Sequence, residues 1–183
     1  MKKLIVKYKS VIKFILTFLL TYAILSIAYK LYLDYSTGTS YYPDYFTNLV
    51  ARQSQPLFEV LGYNAEIVKH LDEPSMKVIV ENKFVARVVE GCNSVSVIIL
   101  FISFIIAFAD KLKATFIYIL AGASLIYAVN LIRIVILSIG LYHYPWRRDI
   151  LHTIIFPLII YGMVFLLWMI WVRRFAKTHK QNG

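Results

Sequence analysis

One cysteine, Cys92, stands in a chain of 183 residues. A lone thiol excludes an intramolecular disulfide framework and any metal site built from several cysteines. It stays free, links to another chain, or does chemistry. Acidic residues are also scarce: 10, against 20 lysines and arginines, for a formal charge of +10. In a soluble chain that surplus would suggest nucleic acid. The sequence lacks a nucleic-acid motif, a glycine-rich phosphate loop, internal repeats and a low-complexity linker. Its basic residues crowd the ends of apolar runs, which reads as membrane topology. No nucleic-acid partner is expected.

What the chain has in excess is apolar surface. Hydrophobic residues make up 60%, against about 45–50% in a soluble domain. The excess falls in long runs, so the expected class is an all-α integral membrane bundle of about four transmembrane helices. The candidate spans are residues 11–33, 93–109, 114–142 and 151–172. A span needs about 20 residues, with about 17 the lower limit, so the second is borderline. The first follows MKKLIVKYKS without a small-residue cleavage site and reads as an uncleaved anchor.

Orientation follows from the lysines and arginines. Lys2, Lys3, Lys7, Lys9 and Lys13, then Lys111 and Lys113, then Arg173, Arg174, Lys177 and Lys180 fall on one side of a four-span bundle. The positive-inside rule places them, and both termini (1–10 and 173–183), in the cytoplasm. Segment 34–91 and the HYPWRRDI link then face outward, where Arg147 and Arg148 run against the rule. The outer segment reads as a small cap. Residues 41–63 form an amphipathic interfacial helix with Tyr41, Tyr42, Tyr45, Phe46, Leu49, Leu57, Phe58 and Leu61 as its apolar part. Pro56 is expected to kink or end it. MKVIVENKFVARVVE alternates as a β-hairpin turning near Asn82 and Lys83, and it feeds into Glu90-Gly91-Cys92.

Three residues then gather in the outer part of the bilayer. Cys92 is at the outer end of the second span and His152 at the outer start of the fourth. Arg133 lies about nine residues, roughly 14 Å, below the outer end of the third. A guanidinium at that depth costs several kcal/mol unless it faces a polar cavity, so it marks a functional site; the bland alternative is snorkelling or a structural pair. Asn130, one turn away, is a second polar wall or a helix–helix hydrogen bond. A lone cysteine is more often a small buried hydrophobe than a nucleophile. A neighbouring cation and a helix start both favour its thiolate. His143, at the other end of the link, competes with His152, which opens an apolar span and can point into the bundle. His70 and His179 fall in the cap and the tail. Thiol, imidazole and guanidinium together suit acyl transfer: attack on a carbonyl, proton delivery to the leaving amine, and stabilisation of the oxyanion. Ser94 or Ser96 is a weaker nucleophile candidate. Two outer histidines and a cysteine lack the spacing and carboxylates of a zinc site, and neither metal nor cofactor is expected.

EGCNS at the head of a span, NLIR inside the next and a histidine opening the last resemble the exosortase/archaeosortase family of membrane cysteine transpeptidases, most of all its short exosortase F type of Bacteroidetes. The resemblance covers about residues 85–162. It implies Cys92 as nucleophile, Arg133 as stabiliser of thiolate or oxyanion, and His152 as general acid and base. Glu90, Asn93, Asn130, Arg147 and Arg148 would support the site or bind substrate; for the charged residues the bland reading is ordinary interfacial charge. Two features depart from the family: Asn93-Ser94 stands where many members have Ser-Gly, and there are fewer spans than in larger members. The implied activity is cleavage of C-terminal sorting signals of exported proteins at the outer, periplasmic face of the bacterial inner membrane. A thioester intermediate and transfer to an amine on a surface lipid or glycan would follow. A scaffold subunit whose Arg133 pairs with a partner helix is the competing reading, and a small transporter ranks below it because the inner halves of the spans lack a polar path. An enzyme would bring Cys92 and His152 within hydrogen-bond reach and Arg133 within about 6 Å of the thiol.

Overall fold

The computed structural model describes residues 8–36, 41–109 and 111–181; the side chains of His152 and of 175–181 fall outside that description. Helix α1, Lys9–Ser36, is 28 residues long, with Ser36 its one buried residue, and it spans about 42 Å at 1.5 Å per residue. Leu16, Leu20, Ile24 and Ile27 are exposed along it. A helix apolar all round, with one face on α3 and the rest exposed, suits lipid.

Helix α2 is Tyr45–Val60. It is shorter at both ends than the expected 41–63. Extended Asp44 caps its start by accepting from the Thr47 N–H at 3.0 Å. Gly62, with φ at 82°, takes the left-handed conformation that closes its end. Tyr41, Tyr42 and Leu61 therefore lie outside the helix. Pro56 sits inside it, and the helix runs on to Val60. Phe58 is fully buried and Leu57 packs on the same core, so burial holds the turn that the missing proline N–H weakens.

Three short strands follow: β1 Ala65–Lys69, β2 Met76–Val80 and β3 Lys83–Val88, antiparallel in the order β1-β2-β3. The turn between β2 and β3 is Glu81-Asn82, with φ of 49° and 61°, one residue earlier than the sequence pattern suggests. Two positive φ values are what a two-residue hairpin turn requires. Val78 faces Ala86 and Ile79 faces Phe84, so Val85 bulges without a partner. Met76, Val78 and Val80 pack against Val50, Ala51 and Phe58 of α2 and against Ile134 and Val135.

Those last two belong to α4, Leu112–His143, 32 residues long. Between sheet and α4 comes α3, Val95–Ala107, 13 residues, about 20 Å long. That is short of the roughly 30 Å of a hydrocarbon core, and it is what occupies the expected span 93–109. After α4 the chain makes a 3-10 turn at Pro145–Arg147, a helical turn at Arg148–Ile150, a π-helical turn at Leu151–Ile155, and then α5, Phe156–Gln181. Helical structure thus starts six residues before the expected Leu151. Lys9–Ser36, Leu112–His143 and Pro145–Arg174 are long and apolar enough to cross a membrane. A second core, around Phe101, Ile105, Ile126, Val164 and Trp171, joins α3, α4 and α5. Gly122 makes it possible: a Cβ there would lie 2.3 Å from Cζ of Phe101.

Candidate active site

Strand β3 runs into a 3-10 turn, Glu90–Cys92, that presents the thiol. The Cys92 N–H donates to the Val89 carbonyl at 2.8 Å. The Cys92 carbonyl accepts from Nδ2 of Asn130 at 2.8 Å, which ties the turn to α4. Asn93 anchors the other side. Its Oδ1 accepts the Val95 N–H at 3.0 Å, and its Nδ2 donates to the Tyr29 hydroxyl at 2.8 Å and to Oγ1 of Thr47 at 3.1 Å. One buried amide therefore binds α1, α2 and the start of α3. Ser94 follows with φ at 65°, a left-handed conformation that favours glycine, and its hydroxyl donates to the Asn93 carbonyl.

Arg133, one turn beyond Asn130 on α4, lines the same cavity as Cys92, close enough for its charge to act on the thiol. Its guanidinium lies over the Phe156 ring, 5.3 Å from the centroid, and its Nε is buried without a partner among the described residues. Thiol and guanidinium line a cavity of about 410 Å³. Residues 85–89 form one wall, Leu137 and Ser138 of α4 another, and Arg148, Asp149, Thr153 and Phe156 a third.

The remaining sequence candidates are dispersed. The backbone of His152 lies in the π-helical turn between the cavity-lining Asp149 and Phe156; its side chain is outside the described residues. His143 lies elsewhere, with Nε2 2.8 Å from the Tyr63 hydroxyl. Arg148 lines the cavity. Arg147 does not; its guanidinium lies over Tyr144 at 5.4 Å. Glu90 is exposed and lines a separate groove with Glu73 and Arg87. Asn93 and Asn130 hold the backbone rather than line the cavity. Ser94 and Ser96 are absent from its walls. Cys92 does not sit at the helix start, as the sequence suggests: α3 begins three residues later, and Asn93 takes its first N–H. His179 lies among the side chains outside the description. Sequence reasoning missed Asp149, Thr153 and Phe156, whose spacing of four and three residues marks one helical face.

Comparison with protein families, characterised proteins and solved structures finds no match for the chain.

A thiol held against a fixed cation at the end of a mostly apolar cavity has two chemical uses. The cation can orient a carbonyl for attack by the sulfur, and after attack it faces the developing oxyanion.

Proposed function

We propose that the chain is a membrane-embedded cysteine endopeptidase or transpeptidase of the exosortase type. In this reading it has four spans, α3 being a short one, with both termini in the cytoplasm of a bacterial inner-membrane protein. The sheet and α2 form a periplasmic cap. The observation that carries the reading is that Cys92 and Arg133, 41 residues apart in sequence, line one cavity together. The scaffold alternative needs Arg133 turned toward a partner helix; its engagement with Cys92 and Phe156 favours the enzyme.

The mechanism follows from these groups. Sγ of Cys92 attacks the scissile carbonyl of a substrate lying in the cavity, and a C–S bond forms. The carbonyl oxygen takes the negative charge beside Arg133. His152 donates a proton to the leaving amine, the C–N bond breaks, and a thioester remains on Cys92. An incoming amine or water gives its proton to His152, attacks the thioester and releases the thiolate. The substrates would be exported proteins ending in a short motif, a transmembrane helix and a basic tail. The acceptor would be an amine on a surface lipid or glycan.

The test is reconstitution in lipid nanodiscs with an exported protein of the same cell that carries such a C-terminal segment. The parent should shorten the substrate and yield a thioester adduct that hydroxylamine releases. Cys92→Ala should abolish both, and Arg133→Gln should slow cleavage by about 10²–10³-fold, as loss of an oxyanion donor does. Undiminished cleavage by Cys92→Ala would overturn the proposal.

A further inference from the structure

The Cys92 cavity continues along the sheet. A second cavity, of about 630 Å³, shares Val85, Ala86, Arg87, Leu141 and Arg148 with it and extends to Lys83, Phe84 and His70. The two make one groove that follows β3 and ends at Cys92. Strand β3 is an edge strand, paired with β2 alone. Among the described residues no other element hydrogen-bonds to the backbone of 83–88. Six residues of strand give about 20 Å of unpaired edge, and such an edge is a template for another extended chain.

The charge in the groove indicates what that chain carries. Lys83, Arg87, Arg133 and Arg148 line it against two acids, Glu73 and Asp149. Arg87 is paired with Glu73. Arg148 lies in both cavities without an ionic partner there, so an acidic side chain would complement it.

The geometry points to an extended peptide that adds to the free edge of β3 as a fourth strand, places an acidic side chain against Arg148 and delivers its carbonyl to Cys92. This rests on the transpeptidase reading and specifies how its substrate is held: by main-chain hydrogen bonds before the cut, with the bulge at Val85 separating the distal groove from the part beside the thiol. Strand addition leaves the backbone extended past the nucleophile, with its scissile carbonyl open to attack.

The experiment uses the full chain in nanodiscs and a tetrapeptidyl chloromethyl ketone of sequence valine-glutamate-valine-alanine. The Cys92 thiolate displaces chloride, a C–S bond replaces the C–Cl bond, and intact mass gives the rate. Analogues carry one N-methyl group at each amide in turn, or glutamine for glutamate. Strand pairing predicts a two-residue period: methylation at alternate amides slows labelling about tenfold, and at the others leaves it unchanged. Glutamine slows labelling several-fold in the parent and not in Arg148→Gln. Equal rates for every methylated analogue would overturn the inference. So would protection of Cys92 by anionic lipid alone, which would assign the groove to a headgroup. So would a disulfide dimer of Phe84→Cys that blocks the probe, which would assign the edge to a second copy. Cleavage of the reconstituted substrate separates the two claims. If Cys92→Ala leaves that cleavage undiminished, the enzyme reading falls. If Cys92→Ala abolishes it while the methylation period is missing, only the strand-addition inference falls.

Discussion

Where α3 meets its neighbours at Phe104, the contacts are rings: Phe14 of α1 at 5.6 Å and Trp168 of α5 at 4.3 Å. Where the chain enters α3, the contacts are amides: Asn93 to Tyr29, Thr47 and Val95, and Asn130 to Cys92. Burial of apolar rings is driven mainly by area and is less directional than a hydrogen bond. Buried amide bonds are directional and costly to leave unmade. The molecule places its directional contacts around its one thiol and closes the rest of the bundle with apolar bulk. On the enzyme reading proposed above, a nucleophile needs such a fixed position, whereas the packed helices need only a partner surface.

The comparison breaks most visibly at Asn93. Asn93→Ala removes the acceptor of the first N–H of α3 and its hydrogen bonds to Tyr29 and Thr47, and should destabilise by roughly 2–4 kcal/mol. Thermal unfolding in detergent reads the loss. The ring-packed half breaks at Gly122, where Gly122→Leu drives a side chain into Phe101 and should cost about 1–3 kcal/mol. That variant should leave the reactivity of the remaining folded Cys92 unchanged, because it touches none of the amide contacts. Asn130→Ala should cost less in stability, about 1–2 kcal/mol, yet alter the rate of Cys92 alkylation, because the carbonyl it holds belongs to that residue. The smallest effect belongs to Trp168→Phe. The indole Nε1 is buried without a hydrogen bond among the described residues, so the substitution removes an unsatisfied donor and should change stability by less than about 1 kcal/mol. If Trp168→Phe outweighed Asn130→Ala, the division between directional and non-directional halves would be lost.

Much of the fold was legible because hydrophobic runs and strand alternation are local signals. The cores of α1, α4 and α5 and the β2–β3 hairpin follow directly from them. Strand β1 was not legible: AEIVK is five residues with two charges, and only pairing with β2 makes it a strand. Nor was the shortness of α3, which is set by where Asn93 caps it and not by where apolarity begins. Pro56 does not end α2, because burial of Phe58 offsets the missing hydrogen bond. At the site, a topology with Cys92 and Arg133 at one end of adjacent spans foretold that they could meet. The amide contacts that fix the thiol reach 64 and 46 residues back along the chain, and no local pattern reports such pairs. Arg147 and Arg148 are neighbours in sequence, yet only Arg148 reaches the cavity, because the turn at Pro145–Arg147 gives them different faces.

The central claim is that Arg133 activates Cys92. The most direct measurement is the rate of Cys92 alkylation by iodoacetamide at neutral pH, in the parent and in Arg133→Met, with thermal unfolding as a control for fold. The account predicts at least about a tenfold slower reaction in the variant, since the fixed positive charge beside the attacking sulfur is gone. Equal rates in two equally folded proteins would mean that Arg133 stands beside Cys92 without acting on it, and would contradict the account.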